Sequence, residues 1–202
     1  MIRQTPNSTT GVGTVAVELT SLYGQPVADD AGGISFALQL AQAAAEKGEV
    51  PVGAVVAAEG VIIGIGANSP ITTLDPTAHA EVTAIRDASE RIGNYRLSGA
   101  TLYVTVEPCS MCAGAIIHSR IGRVVYGTTE PKAGVVESVE RFFEKPFLNW
   151  QVEVTGGVRA DECSAVMTEF FAARRAGKKK LKQASPAPSA KGKPEAPDTK
   201  TN

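Results

Sequence analysis

Short runs of β-branched and apolar residues alternate along this chain with longer stretches whose apolar positions recur every three or four residues, the signature of strands interleaved with amphipathic helices. The stretch Ser35 to Lys47 is rich in strong helix formers, sets Phe36, Leu40 and Ala43 or Ala44 at helical spacing, and stops at Gly48. VPVGAVVAAEG and VIIGIG then form two β-branched runs joined at Glu59-Gly60, which predicts a hairpin. From Ala78 a helical pattern returns, with Val82, Ile85 and Ala88 on one face and Gly93 as its C-terminal stop. TLYVTVE (101 to 107) predicts a strand, Cys109 to about Ser119 a helix, IGRVVYG another strand and WQVEVTGG one more. A last helix starts near Asp161, a suitable N-cap, and carries Cys163, Val166, Met167, Phe170 and Phe171 as an apolar stripe.

The ends of the chain differ from this middle. Residues 1–33 hold turn formers throughout, among them Pro6, Gly11, Gly24, Pro26, Gly32 and Gly33, with TVAVEL as the short candidate strand, and are expected to be a partly ordered extension. After Arg175 the composition shifts to Lys, Pro, Ala and Ser, so residues 177–202 are expected to form a disordered basic tail. One folded domain over residues 34–176 remains, and its alternation of elements predicts an α/β sandwich around a single sheet of about five strands.

A chain of 202 residues with 43% hydrophobic and 20% charged residues suits one core with appendages. Charge is spread unevenly: residues 174–202 hold nine Lys or Arg against Glu195 and Asp198, a balance of +7, which leaves the preceding residues at −8 within a net −1. An acidic body with a basic end points to a polyanionic partner such as RNA, the plainer reading being a solubilising tail. No stretch approaches the ~18 consecutive apolar residues of a membrane helix. Arg3 is followed by no apolar run of the secretory type, so a cytoplasmic location is expected.

Of two histidines and three cysteines in the chain, three fall in HAE (79 to 81) and PCSMC (108 to 112). Three cysteines without a secretory signal argue against a disulfide framework and for a metal or catalytic role of the close pair. Cys109 and Cys112 open a predicted helix three residues apart, so both sulfurs project from one side of its first turn, where the helix dipole favours thiolate. Pro108 suits the position just before that helix. At ~100° per residue, His118 lies about 180° from Cys109 and about 240° from Cys112 around the helix, and points away. His79 opens a different helix and becomes the third zinc ligand by elimination, while Cys163 reads as a small buried hydrophobe. Three ligands leave a fourth position open to water, whose pKa zinc lowers toward ~7. Glu81 is placed to take a proton from that water; alone, it would read as a helix N-terminal carboxylate.

H-x-E followed by P-C-x-x-C is the signature of zinc deaminases that act on nucleobases. The wider text, with EVPVGAVV (49 to 56), DPTAHAE (75 to 81), NYRL (94 to 97), ATLYVTVEPCSMCAG (100 to 114), HSRIGRVVYG (118 to 127) and then ADEC, FF and RR before residue 176, resembles the bacterial tRNA-specific adenosine deaminases of the cytidine deaminase superfamily. That resemblance covers about residues 34–176 and implies a cytidine-deaminase-like three-layer α/β/α sandwich around a five-stranded mixed sheet. It also implies hydrolysis of the wobble adenosine of a tRNA anticodon loop to inosine, with release of ammonia, by a homodimer holding one zinc ion per subunit. Carried over by position, His79, Cys109 and Cys112 would hold zinc and Glu81 would shuttle protons. Asn68 matches a position that contacts the flipped nucleotide, although an Asn before Pro70 equally suits a turn. Lys132, Phe171, Arg174 and Arg175 look like RNA contacts, the plainer readings being a solvated lysine, a core aromatic and a cationic helix end. Two rivals stand beside this reading. A deaminase of free bases such as guanine or cytosine would share the motifs but leave HSRIGRVVYG and the basic end unused, and a non-catalytic zinc module would be a protein ligand short.

Overall fold

The computed structural model describes residues 19–184. Five strands form one sheet: β1 (Gly53–Ala58), β2 (Val61–Ala67), β3 (Thr101–Val106), β4 (Arg123–Thr128) and β5 (Glu153–Thr155), in the order β2-β1-β3-β4-β5. β1 runs antiparallel to β2 and to β3, whereas β3, β4 and β5 run parallel, so the sheet is mixed. Glu59 and Gly60 join β1 to β2 with φ of 51° and 77°, the mirror-image turn that matches strand twist.

Helices cover both faces, and a one-turn helix, α2 (Pro70–Thr73), follows β2. On one face, α1 (Asp30–Glu46) and the opening turns of α5 (Ala160–Ala184) pack Ile34, Leu38, Leu40 and Cys163 onto Val55, Ile62, Tyr103 and Val125. On the other, α3 (Ala80–Ile92) and α4 (Ser110–His118) set Ala84, Ile85 and Ile116 against Val56, Leu102, Val104 and Tyr126. Leu102 and Ile116 are fully buried, and each such side chain withdrawn from water contributes ~1.5–3 kcal/mol. The α/β/α sandwich around a five-stranded mixed sheet is thus present as expected.

Three local features differ from the pattern-based expectation. α1 starts at Asp30 rather than near Ser35, because the Asp29 carboxylate accepts the Gly32 amide (2.7 Å) as an N-cap. Gly33, which reads as a turn former, sits in that first turn against the Tyr103 ring, where a Cβ would come within 2.3 Å of the ring. Leu19–Leu22 forms a 3-10 helix with Leu22 buried, and the rest of the candidate strand TVAVEL lies outside the described residues. α5 continues to Ala184, although no fixed structure is predicted from Gly177 onward. A single glycine costs a helix only ~1 kcal/mol relative to alanine, and the surrounding Ala, Arg and Lys are good helix formers. Residues 185–202 of the expected tail lie outside the described residues. The chain divides into a first compact unit ending at Phe170, which holds the sheet, and a second beginning at Phe171.

Candidate active site

Both helices that carry the chemical motifs begin at a motif residue. His79 is the N-cap of α3 (φ −74°, ψ 152°) and Cys109 the N-cap of α4 (φ −80°, ψ 174°), and neither side chain caps its own helix. An N-cap side chain ordinarily turns back onto the amides of its first turn. Here it is left to face the neighbouring helix, and Cys112, one turn into α4, completes the group. His79 Nδ1 lies 3.6 Å from Cys109 Sγ and 3.5 Å from Cys112 Sγ, with the two sulfurs 3.6 Å apart.

Those separations fit zinc. A tetrahedral ion with Zn–S of ~2.3 Å and Zn–N of ~2.0–2.1 Å holds its donors roughly 3.5–3.8 Å from one another. Among the described residues this is the one group of three His, Cys, Asp or Glu side chains close enough to hold a metal ion. Electrostatics agrees. Contact with the Cys112 sulfur, helped by His79, pulls Cys109 down to about 4, while the same contact and burial push Cys112 up. A cation between the two sulfurs would let both act as thiolates. His118 lies in a separate groove with Tyr95 and Ser89, as the helical angle requires, and Cys163 is buried with its thiol pushed up by burial to about 11.

Glu81 projects from the first turn of α3 and is 4% exposed. Burial pushes its carboxyl up to about 7, which suits a group that must both accept and return a proton near neutral pH. It shares with His79, Cys109 and Asn68 a cavity of ≈ 230 Å³ whose apolar walls include Val50, Val106 and Met167. A few convergent polar groups between apolar walls are the usual form of a small-molecule site. Asn68 sits where β2 ends, held by its amide on the Val52 carbonyl (2.9 Å), with its side chain mostly buried at the cavity.

The other candidates are placed differently. Lys132 is exposed on the segment after β4, between Glu130 and Ala133, both of which line the cavity. Phe171, Arg174 and Arg175 are exposed on α5, in the second unit, so the plainer reading of Phe171 as a core aromatic does not hold. Sequence reasoning passed over two buried carboxylates. Glu49 accepts the amides of Ile71 (3.3 Å) and Thr72 (2.6 Å) and so holds the chain just after Asn68. Glu107, at the end of β3, also lines the cavity. The available signal was an acidic residue abutting a β-branched run, where an exposed strand end explains it equally well.

A family model described as MafB19-like deaminase matches residues 29–175. The chain is 51% identical over 145 residues to a tRNA-specific adenosine deaminase of Haemophilus influenzae, covering 71% of this chain and 84% of that protein. It is 43% identical over 143 residues to the Bacillus subtilis protein of the same name, covering 71% and 89%. Among solved structures, a tRNA:A34 deaminase that edits A to I at the wobble position of transfer RNA matches with a TM-score of 0.65 at 44% identity, over 66% of this chain and 97% of its own. A guanine deaminase from Nitrosomonas europaea matches with a TM-score of 0.68 at 22% identity, a likeness of fold alone. Identity of this order across most of both chains leaves one assignment: the chain belongs to the family of tRNA-specific adenosine deaminases, and is a deaminase.

Proposed function

We propose that this protein converts the wobble adenosine of a tRNA anticodon loop to inosine by zinc-dependent hydrolysis, as the names of its relatives suggest. The observation that carries the mechanism is a three-donor group with zinc-like separations whose cavity also contains a buried carboxylate, Glu81. Zinc held by His79, Cys109 and Cys112 would supply a Lewis acid that makes water acidic enough to ionise near neutral pH. Glu81 takes a proton from the attacking water as its oxygen bonds to C6 of adenine, and delivers that proton to N1. It then moves the remaining hydroxyl proton to the amino group as the C6–N6 bond breaks, leaving inosine and ammonia. Val106 and Met167 bound the ring, and the Asn68 amide reads a base or ribose edge. Lys132, Phe171, Arg174 and Arg175 contact the RNA in this reading.

The α3–α4 groove lined by Val82, Ile85, Tyr95 and His118 is open, with Tyr95 63% exposed, and it is the face we assign to a homodimer. Among the described residues no helix is long and apolar enough to cross a membrane.

A single-turnover assay on an anticodon stem-loop with adenosine at the wobble position, run beside free adenosine, tests the reading. Inosine from the stem-loop alone is expected. No inosine from zinc-loaded protein, with turnover of guanine or cytosine instead, would replace it with a free-base deaminase.

A further inference from the structure

One side chain gathers both ends of the segment 130–138. Glu107 is 3% exposed at the end of β3, and its Oε1 accepts the amides of Val136 (3.0 Å), Glu137 (2.7 Å) and Ser138 (2.9 Å). Its Oε2 accepts the Glu130 amide (3.0 Å) and the Ser138 hydroxyl. Five donors thus converge on a carboxylate that offers roughly four lone-pair sites, and they come from both ends of the segment. The Tyr126 hydroxyl donates to Glu137 and reinforces the same cradle. Between the two ends, Val135 donates to the Pro108 carbonyl (3.0 Å) and Gly134 forms a β-bridge with Cys109. Gly134 lies so close that a Cβ there would come within 2.4 Å of the Glu107 carboxylate.

The consequence is a fixed register between two functions. Glu107 and Cys109 flank Pro108, so one short stretch of chain positions a sulfur of the three-donor group and also anchors the segment that walls the cavity with Glu130 and Ala133 and presents Lys132. A buried carboxylate saturated by amides, at the wall of the cavity and outside the proton path, has no chemical task in the reaction. We infer that Glu107 is a positioning residue, whose carboxylate holds residues 130–138 at the cavity so that Ala133 shapes the base site and Lys132 meets the RNA strand. This inference rests on the proposed tRNA reading.

The test uses Glu107→Gln in the full-length, zinc-loaded protein. Glutamine keeps the shape but replaces one acceptor oxygen with an NH2 that faces inward-pointing amides. The expected result is a KM for the stem-loop raised about tenfold or more, kcat within about threefold of the intact protein, and an unchanged zinc content. Hydrogen exchange should accelerate at the amides of Glu130, Val136, Glu137 and Ser138 and stay slow in α3 and α4. Ser138→Ala, which removes one donor to the carboxylate at an exposed position, should give a smaller loss confined to KM, and it decides the matter if Glu107→Gln does not fold. Loosened amides with unchanged KM would overturn the proposal in favour of a purely structural role. Loss of zinc and kcat with KM unchanged would overturn it in favour of a role through the metal. No inosine from the intact protein in the same assay would overturn the tRNA reading itself, and this proposal with it.

Discussion

The floor of the candidate site and the surfaces proposed to meet RNA are built on opposite principles. The floor gathers His79, Glu81, Cys109 and Cys112 at two helix N-termini, packed so that the three donors stand within 3.6 Å of one another. Much of the segment 130–138 is exposed, as are residues 174–179 of α5; the first is held by backbone amides, and the second carries charge distributed along a helix. Chemistry that depends on single atoms needs rigid, buried supports, whereas contact with a polyanion can be shared among many weak ones. Loss of one atom should therefore be catastrophic on the floor and graded elsewhere.

The sharpest way to break this contrast is at Glu81. Glu81→Gln keeps the shape of the side chain but cannot carry a proton, and should lower single-turnover kcat by ~10³-fold while stem-loop affinity stays within about twofold. Chelation should likewise abolish turnover, and zinc should restore it. A glutamine variant with near-normal kcat would remove Glu81 from the proton path. Asn68→Ala tests the boundary between the two regimes, because its amide belongs to the floor by burial and to substrate recognition by proposal. Losing one hydrogen bond to a bound nucleotide should raise KM about tenfold with a smaller change in kcat. A kcat-only effect would place Asn68 among the chemical groups instead.

The same contrast explains what could be read from the sequence. HAE and PCSMC were legible because metal ligation demands particular side chains at fixed local spacing, and the chain has so few His and Cys that elimination works. The hairpin at Glu59-Gly60 and the stop of α3 at Gly93 were legible because positive φ selects glycine locally. Glu107 and Glu49 were not, since their meaning lies in amides 22 to 31 residues away, and nothing in a single sequence marks which backbone will arrive at a carboxylate. Asp29, Gly32 and Gly33 have a turn-like composition, and the Asp29 cap on the Gly32 amide together with the close packing of Gly33 on Tyr103 makes them the opening of a helix.

Removal of residues 178–202 probes the charge-based side of the comparison. The deleted stretch takes seven Lys against Glu195 and Asp198, so stem-loop affinity should fall several-fold at low salt and the dependence of log Kd on log salt should flatten. Identical slopes for intact and truncated protein would show that the basic end takes no part in binding. The kcat at saturating stem-loop should not change, because no floor residue lies in that stretch.

The smallest effect is expected where neither principle applies. Arg123 on β4 donates both Nη groups to the Asp30 carboxylate at 2.7 Å and one of them also to Thr155 Oγ1 (2.8 Å), tying the start of α1 to the β4–β5 edge. The Arg123 guanidinium holds the Asp30 carboxyl below its ordinary value. A carboxyl lowered on folding stabilises the native state above its unfolded pKa, and that contribution disappears as pH falls through the folded value. Asp30→Asn should therefore cost about 1 kcal/mol at neutral pH by chemical denaturation. Its stability should converge on that of the intact protein as the medium is acidified below the ordinary carboxylate range, with kcat and KM unaltered throughout. If the deficit persisted in acid, the pair would be contributing packing rather than charge. If KM moved, the rigid sheet would be transmitting strain to the cavity, and the separation between floor and scaffold would have to be drawn elsewhere.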